Sequence, residues 1–333
     1  MRLRPVLSSA FTLVVSAALA FASATLPAAA QETRVFEDDL GRPVEIPVDP
    51  QRIAAMADHA LAVPLVELGS ALVASQGRIG EDGEPFFRSV VDLFPEALAS
   101  RDIQFIGTQI AIDYEALAAA EPDLIIGRTW DEGQLDQLTP IAPVLLLDDR
   151  TNAFDFYRKV ADAAGRLDVF ETLKETYRLA VEKQKVLLGD HDHTYQRVAF
   201  SGSSTISVCG SHGALGQALD DLGFRMIGVS AEIESRGEAF CEDVSPEVLA
   251  ELDADFLFDS YRTDVFPSDP IGAEDRVEDT FPGACQLLTA CAEGRMIFVP
   301  REYAFPASFR SATTMLHFVV SHVAGRPGMT RPD

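Results

Sequence analysis

The chain has 333 residues, of which 47% are hydrophobic and 24% are charged. This length suffices for two domains of ~100 to 150 residues each. With 52 acidic and 27 basic residues, the formal net charge is −25. A surface this acidic repels phosphate backbones, which argues against nucleic acid or an anionic membrane as the partner.

The N-terminus predicts export. Arg2 and Arg4 precede an uncharged apolar run over residues 7–24, and small residues follow up to Ala30. This layout is typical of a cleavable secretory signal over 1–30. The run falls short of the ~20 apolar residues that a membrane span needs. We therefore expect an exported protein that is cleaved near Ala30.

An internal repeat organises the rest of the chain. The stretch 113–127 is nearly restated at 245–259, 132 residues later. Each copy predicts a short helix capped by Asp113 or Ser245, followed by a wholly apolar run of strand length. Such strands belong to parallel sheets that helices cover on both faces. The repeat therefore predicts two similar α/β lobes with a cleft between them.

The first lobe is predicted over 33–148. It would begin with a hairpin over 35–46, and residues 77–107 are interpreted as loop with a short helix. Apolar runs predict its strands at 52–57, 71–74, 124–127 and 144–147.

Residues 152–188 predict a connecting helix, which Gly165 divides. The part over 168–188 would extend ~30 Å, so it would join the lobes as a rigid strut and limit domain closure.

The second lobe is predicted over 195–327. Its strands are expected at 197–200, 206–208, 225–228, 256–258 and 296–299, and its helices at 213–222, 284–292 and 307–323. The fold class is therefore α/β, with two doubly wound lobes joined by a long rigid helix and a ligand cleft between them.

The candidate ligand-binding residues follow the apolar runs, because ligands bind beyond the carboxyl ends of strands in open α/β sheets. They are His59, Arg78, Arg128, Trp130, Ser203, Tyr261, Arg262, Arg301 and Tyr303. Guanidinium groups suit anionic oxygens, and aromatic rings suit an apolar shell. Each arginine taken alone fits a solvated loop charge equally well, and Trp130 fits a core position equally well.

The cysteines and histidines leave alternatives open. In an oxidising compartment Cys285 can pair with Cys291, and Cys209 with Cys241; the alternative is buried free thiols. The run His191–His193 is interpreted as an exposed polar turn, with metal binding as the less favoured reading. Because no His and carboxylate cluster is evident, a metal would arrive already wrapped by a chelator. The sequence contains neither a nucleophile elbow nor a phosphate loop, which are motifs that would indicate an enzyme.

An ordered set of short motifs carries a family resemblance. The set comprises Asp39-x-Gly41-x-x-Val44-x-Ile46-Pro47, Pro50-Gln51-Arg52-Ile53, Glu115-x-Leu117, Pro122-Asp123-Leu124-Ile125-Ile126, Ile141-Ala142-Pro143-Val144 and Glu247-x-Leu249. It resembles the periplasmic binding proteins of iron-siderophore and vitamin B12 ABC importers. The closing segment, 295–323, is most similar to the ferric-hydroxamate and ferric-dicitrate binders.

The resemblance implies a function. A monomer would capture a ferric siderophore and deliver it to an ABC permease and its ATPase, with no chemistry of its own and no cofactor beyond the iron in the chelate. It also implies one docking acid on each lobe, for which Glu67 and Asp221 are the candidates, with Asp220 as an alternative to the latter. A cobalamin or haem carrier remains the alternative, and Tyr303 would suit haem.

Overall fold

The computed structural model describes residues 31–200, 205–237, 240–263 and 270–324. The predicted signal, 1–30, lies outside these residues, so its cleavage stays a prediction. From Glu32 onward the chain forms one compact unit. Within the described ranges, no helix combines the length and the apolar character that crossing a membrane requires.

The first lobe begins with an antiparallel hairpin and continues into a mostly parallel sheet. The hairpin strands are β1 (Thr33–Glu37) and β2 (Pro43–Pro47), and the sheet strands are β3 (Ile53–Ala55), β4 (Leu72–Ile79), β5 (Pro85–Phe86), β6 (Gln104–Thr108), β7 (Ala111–Ile112), β8 (Leu124–Arg128) and β9 (Val144–Leu147). The sheet order is β7-β6-β4-β3-β8-β9, with β5 antiparallel to β4. Strands β3, β8 and β9 are buried on both faces, as their apolar sequences predict.

The helices of the first lobe are short. They are α1 (Val63–Glu67), α2 (Val90–Leu93), α3 (Pro95–Ser100), α4 (Tyr114–Ala119) and α5 (Leu135–Leu138). A π-helical turn, Asp58–Ala62, leads into α1, and a 3-10 turn, Thr129–Gln134, leads into α5. The first turn is separated from β3 by two residues and the second comes directly after β8, so both lie at the edge of the sheet where ligands bind.

The interpretation of residues 77–107 as loop with a short helix was wrong in part. Strand β4 continues to Ile79, and β6 starts at Gln104. Strand β6 escaped prediction because only two of its five residues, Phe105 and Ile106, are strongly apolar. Its backbone hydrogen bonds to β4, which is a long-range pairing, fix it in the sheet.

Two consecutive helices, α6 (Ala153–Ala163) and α7 (Leu167–Leu188), form the connection between the lobes. Asn152 caps α6 by accepting hydrogen bonds from the backbone N–H groups of Phe154 and Asp155. Gly165, at φ +64°, makes the break between the helices at the position that the sequence predicted. The long connecting helix is therefore confirmed, with α7 spanning 22 residues.

The second lobe contains a mixed sheet. Its strands are β10 (Thr194–Phe200), β11 (Ile206–Cys209), β12 (Arg225–Met226), β13 (Cys241–Val244), β14 (Phe256–Tyr261) and β15 (Met296–Pro300). The order is β13-β11-β10-β14-β15, with β12 beside the start of β10. Strands β11 and β13 run antiparallel to their neighbours, whereas β12, β10, β14 and β15 are parallel.

The second lobe has more helix than the sequence predicted. The helices are α8 (Gly213–Leu222), α9 (Gly228–Arg236), α10 (Pro270–Thr280), α11 (Ala284–Leu287), α12 (Thr289–Ala292), α13 (Arg301–Ala304) and α14 (Phe309–Val323). The predicted strand at 225–228 was too long, since α9 already starts at Gly228. Ser245 caps the short helix of the second repeat copy as expected, and that helix, Pro246–Leu252, is of the 3-10 type.

An aromatic cluster joins the second lobe to the connecting helices. Phe309, the first residue of α14, is 3% exposed. Its ring centroid lies 4.5 Å from that of Phe154, 5.2 Å from Tyr157, 5.1 Å from Phe170 and 5.8 Å from Tyr177. These apolar contacts make the connection and the second lobe one packed body, which favours the rigid joint that the sequence predicted.

Candidate functional site

A cavity of about 1010 Å³ lies between the two lobes. We call it the cleft. Its walls come from the ends of parallel strands in both sheets, for example Arg128 at the end of β8 and Tyr261 at the end of β14. The volume is at the upper end of the range for pockets that take small molecules. The cleft therefore suits a ligand of substantial size.

The cleft is strongly basic although the chain is strongly acidic. Among the described residues, seven arginines line it: Arg78, Arg88, Arg128, Arg197, Arg262, Arg276 and Arg301. The described lining contains only two carboxylates, Asp149 and Asp259. Positive charge concentrated in a concave, partly desolvated site attracts and holds anionic ligands.

Arg128 forms part of the first-lobe wall. Its side chain is 8% exposed, and its Nη1 lies 3.6 Å from Oδ2 of Asp149. Its Nε is buried and has no hydrogen-bond partner in the described part of the chain. A buried donor without an acceptor costs free energy, so a ligand oxygen at this position would be favoured.

Asp58 organises the neighbouring part of the same wall. Its carboxylate accepts hydrogen bonds from the backbone N–H groups of His59 (2.8 Å) and Arg88 (3.2 Å) and contacts Nε of Arg78 at 3.4 Å. Burial opposes ionisation of Asp58, but hydrogen bonding from His59 and the charges of His59 and Arg78 hold its pKa below the usual value. Asp58 therefore stays ionised and positions basic groups around the cleft.

The second-lobe wall contains a buried arginine inside a strand. Arg197 lies in β10 and is 4% exposed. Its Nη1 donates to the carbonyl oxygens of Gly210 (2.8 Å) and His212 (2.6 Å). Burial lowers its pKa to about 10, which still leaves it charged at neutral pH. It therefore adds a fixed positive charge to this wall.

Asp259 balances part of that charge. It is 1% exposed in β14 and accepts hydrogen bonds from the backbone N–H groups of Phe200 (3.2 Å) and Ser260 (2.6 Å). Burial raises its pKa to about 7, and the charges of Arg276 and Arg301 oppose that rise. Its charge therefore changes within the physiological pH range.

Aromatic rings extend across the cleft from lobe to lobe. Trp130 of the first lobe stacks on Phe240 of the second, with ring centroids 6.2 Å apart and an interplanar angle of 24°. His212 contacts Phe240 at 4.7 Å and Phe305 at 5.3 Å. Trp130 is 56% exposed, so it is not a core residue. These rings supply an apolar wall beside the arginines.

A glycine lets the start of α8 approach the end of α13 closely. Gly213 has φ +76°, and a Cβ there would lie 2.7 Å from the carbonyl oxygen of Phe305. A larger residue would push His212 and α8 away from α13.

The cysteines form two disulfides in the structure, Cys209–Cys241 and Cys285–Cys291. The first joins directly opposed residues of β11 and β13 and lines the cleft. Cys241 is the first residue of β13 and directly follows Phe240, so the disulfide ties that ring to the second-lobe sheet.

The structure brings together seven of the nine predicted ligand-binding residues. His59, Arg78, Arg128, Trp130, Tyr261, Arg262 and Arg301 line the cleft. Ser203 lies outside the described residues. Tyr303 was placed wrongly: it is absent from the lining, and its hydroxyl donates to the carbonyl oxygen of Asp92 at 3.4 Å.

Sequence reasoning missed three arginines of the cleft. Arg88 lies in the stretch interpreted as loop, and Arg276 lies in the unpredicted helix α10. Arg197 was seen only as the start of a strand, although an arginine among the apolar residues of a buried strand is itself unusual. That signal could have identified it.

The turn His191–His193 is stacked against the second lobe. The two imidazole rings lie 4.7 Å apart, and Nε2 of His191 is 3.2 Å from the carbonyl oxygen of Leu222. Within the ranges that the structure describes, no three His, Cys, Asp or Glu side chains are grouped to hold a metal ion.

The predicted docking role of Glu67 needs correction. Its carboxylate accepts hydrogen bonds from the Tyr157 hydroxyl (2.8 Å) and from the backbone N–H groups of Phe309 (2.9 Å) and Arg310 (2.7 Å). Glu67 therefore caps α14 and ties the first lobe to the second. Because both carboxylate oxygens are used inside the chain, Glu67 is unsuited to binding a permease.

Asp221 also has an internal partner. Its Oδ2 accepts from the Tyr177 hydroxyl at 2.8 Å and from Nε2 of Gln217 at 3.0 Å. Its side chain remains partly exposed, so its docking role stays a prediction.

We expect Glu67→Ala to lower the free energy of unfolding by about 2 kcal/mol, because one buried hydroxyl and two helix N–H groups lose their acceptor. Urea denaturation measures this. Glu96→Ala is the control, since Glu96 is an exposed acid that pairs with Arg310 and should cost under about 0.5 kcal/mol. An equal loss of unfolding free energy in both variants would show that the Glu67 contacts do not stabilise the fold.

The fold and the cleft together define a class. Two α/β lobes on a rigid helical connection, with a ligand-sized basic cleft between them, are the architecture of a solute-binding protein. The family model for periplasmic binding proteins matches residues 91–302, more than half of the chain. The chain belongs to this family of binding proteins, and the family resemblance is confirmed.

Individual relatives agree with this assignment. A probable siderophore-binding lipoprotein of Bacillus subtilis (strain 168), YfiY, is 28% identical over 235 residues, which cover 68% of each protein. Staphylococcus aureus SirA complexed with staphyloferrin B superimposes with a TM-score of 0.71 at 19% identity, over 87% of this chain and 98% of SirA. Streptococcus pneumoniae TIGR4 PiaA in complex with ferrichrome gives 0.66 at 16% identity, over 87% and 97%.

Proposed function

We propose that this protein captures a ferric siderophore in the cleft and delivers it to an ABC permease. The observation that carries the proposal is the cleft itself: arginines from both lobes surround a cavity of about 1010 Å³, and aromatic rings cover one side of it. Guanidinium groups bind chelate oxygens, and the rings pack on the apolar shell of a chelator. Iron is cargo in this scheme, and the chelator supplies its ligands.

The relatives support this reading by what they bind. YfiY is a probable siderophore-binding lipoprotein, SirA was solved with staphyloferrin B, and PiaA was solved with ferrichrome. A further fold relative from Bacillus subtilis is a periplasmic binding protein component of a ferrichrome ABC transporter. The relatives give the cobalamin alternative no comparable support. The haem alternative is weakened because Tyr303, the residue that would suit haem, does not line the cleft.

The cellular setting follows from the predicted signal and the charge. Residues 1–30 would direct the chain across the inner membrane, with cleavage near Ala30. The monomer would then carry its ligand through the periplasm to the permease and its ATPase. Its acidic surface disfavours nucleic acid as a partner.

Trp130 provides the test, because it is the only tryptophan and it lines the cleft. We expect saturable quenching of its fluorescence when the protein without residues 1–30 is titrated with a ferric siderophore. Arg128→Ala should weaken binding tenfold or more, because the ligand loses a charge-assisted hydrogen bond. The titration panel contains ferric hydroxamate, carboxylate and catecholate complexes, cobalamin, haem and free Fe(III).

Two controls make the result interpretable. Trp130→Phe removes the signal, so calorimetry on that variant shows whether affinity survives. Arg178→Gln removes an arginine from the exposed face of α7, where it pairs with Glu175 and Glu182, and should leave the affinity unchanged. Binding of cobalamin or haem alone would contradict the siderophore proposal and leave the binding-protein class intact.

A further inference from the structure

The Cys209–Cys241 disulfide joins two segments that carry aromatic rings of the cleft. Cys241 directly follows Phe240, and Cys209 precedes His212 by three residues. The rings of Phe240 and His212 lie 4.7 Å apart, and both residues line the cleft. Phe240 also stacks on Trp130 of the first lobe. The disulfide is therefore one residue along the chain from a ring that contacts the other lobe.

The segment that follows β11 is firmly held. Arg197, which is buried in β10, donates to the carbonyl oxygens of Gly210 and His212 at 2.8 and 2.6 Å. Glu234 of α9 accepts hydrogen bonds from the backbone N–H of Ser211 at 2.7 Å and from its hydroxyl at 2.6 Å. Side chains from two other elements thus fix the backbone of this segment.

Strand β13, on the other side of the disulfide, is weakly held. It is an edge strand, and among the described elements it pairs only with β11. None of its four residues, Cys241–Val244, is buried. The polar side-chain contacts that the structure shows for it, Glu242 with Arg236 and Asp243 with Ser207, are exposed. Exposed contacts of this kind add little stability, so they hold β13 in place only weakly.

The disulfide passes the fixed position of the first segment to Phe240. Cys209 and Cys241 lie directly opposite each other in the ladder. Beside them, the backbone N–H of Gly210 donates to the carbonyl oxygen of Phe240 at 2.9 Å. A covalent cross-link at this pair excludes conformations in which the start of β13 separates from β11. Phe240 adjoins that start, so the cross-link restricts where its ring can lie.

A restricted ring favours ligand binding. A side chain that is already ordered loses less conformational entropy when a ligand packs against it. The stacking on Trp130 places the Phe240 ring between the lobes, where it adds apolar surface to the cleft wall. If β13 separated from β11, the ring would leave this position and the ligand would lose that surface.

We propose that the Cys209–Cys241 disulfide is a positioning element of the ligand site, which holds Phe240 against Trp130 and His212 and thereby raises the affinity for the cargo. This inference rests on the proposed function and adds a pair of residues to the site. The cargo packs its apolar shell on the Phe240 ring, and the disulfide acts through that ring.

The second disulfide provides a matched control in the same lobe. Cys285 and Cys291 link α11 to α12. Neither cysteine is among the described residues that line the cleft. Its removal also deletes a covalent cross-link, but it should leave Phe240 in place.

The test measures dissociation constants by calorimetry. The probe is whichever of ferrichrome, ferric citrate and a ferric tris-catecholate binds the wild-type protein most tightly. Cys209→Ser with Cys241→Ser, the double-serine variant, should weaken binding about tenfold or more, because the ligand loses an ordered aromatic contact. Phe240→Ala, which keeps both disulfides, should weaken binding to a similar extent. Cys285→Ser with Cys291→Ser should change the constant less than about twofold.

A triple variant separates positioning from a general loosening of the lobe. If the disulfide acts through Phe240, adding Phe240→Ala to the double-serine variant should give a constant within about twofold of Phe240→Ala alone, because residues that act as a unit are not additive. The emission maximum of Trp130, measured without probe, gives an independent readout. The double-serine variant should match Phe240→Ala in this maximum, and the Cys285→Ser, Cys291→Ser variant should match the wild type.

Each outcome decides the inference. An unchanged affinity in the double-serine variant, or losses that add in the triple variant, would overturn it. Unfolding of the double-serine variant in thermal melting would also overturn it, because the disulfide would then serve the whole lobe. An unchanged affinity in Phe240→Ala would overturn it even if the serine variants failed to fold. Failure of every ferric complex to bind the wild type would overturn the proposed function, and the emission of Trp130 would still show whether the disulfide positions Phe240.

Discussion

Phe309→Ala should lower the free energy of unfolding by about 3–5 kcal/mol. The ring is 3% exposed and contacts four aromatic rings of α6 and α7. Its removal leaves a cavity that the packed helices cannot close, and such phenylalanine truncations cost this amount. Urea denaturation followed by circular dichroism measures the loss.

The control for this variant is Val186→Ala on α7. Val186 is 83% exposed, so the change should cost under about 0.5 kcal/mol. Phe309→Leu keeps part of the volume and should fall between the two. A loss below 1 kcal/mol in Phe309→Ala would mean that the aromatic cluster does not hold the second lobe to the connecting helices.

Asp259→Asn should change how stability depends on pH. Burial raises the pKa of Asp259 from 3.8 to about 7 in the folded protein. A raised acid pKa means that this group's contribution to stability is fully present below pH 3.8 and is lost as pH rises through 7. The loss is on the order of 4 kcal/mol, since each pKa unit corresponds to about 1.4 kcal/mol.

The asparagine variant cannot ionise, so it lacks this loss. The difference in unfolding free energy between Asp259→Asn and wild type should shift in favour of the variant by about 4 kcal/mol between pH 4 and pH 9. Any constant cost of exchanging an acceptor for an amide cancels in this comparison. Urea denaturation at a series of pH values measures the shift.

Asp279→Asn provides the control for the pH series, because Asp279 is an exposed acid on α10. It measures how far the loss of one acidic charge by itself changes the unfolding free energy across the series. If the Asp259→Asn difference did not exceed the Asp279→Asn difference, burial would not perturb the Asp259 carboxylate. The cleft would then keep one more fixed negative charge at neutral pH.

The stability predictions for Phe309 and Glu67 bear on whether the cleft exists before the ligand binds. Phe309 and Glu67 fix the second lobe to the connection and to the first lobe. We therefore expect the cleft to be largely formed before the ligand arrives, with little domain closure. Preorganised arginines gain affinity because less side-chain entropy is lost on binding.

Many of the strands and helices could be predicted from the sequence because they depend on local patterns. Apolar runs located β8, β9, β14 and β15, and Gly165 located the break in the connection. Strand β6 and helix α10 were missed, since their residues are too polar for their periodicity to stand out. Tertiary contacts stabilise those elements.

The residues of the candidate site were likewise predicted where a local pattern marked them and missed where none did. Arginines directly after apolar runs, such as Arg128 and Arg301, were predicted because strand ends converge at one edge of a parallel sheet. Arg88 was missed because nothing in its neighbours along the chain indicates what it faces, and Arg197 was missed although an arginine in a buried strand is unusual. Glu67 was misassigned for a related reason: its partners, Tyr157 and Phe309, are 90 and 242 residues away.

The sequence by itself determined the α/β class, the repeated lobes and the basic strand ends, and it predicts an export signal that stays a prediction. These depend on composition and on periodicity over a few residues. Only the tertiary structure decided that Arg78, Arg88 and Arg301 line one cleft, that Trp130 stacks on Phe240, and that Glu67 caps α14. Each of these contacts joins side chains from distant elements, and their positions follow from how the two lobes pack together.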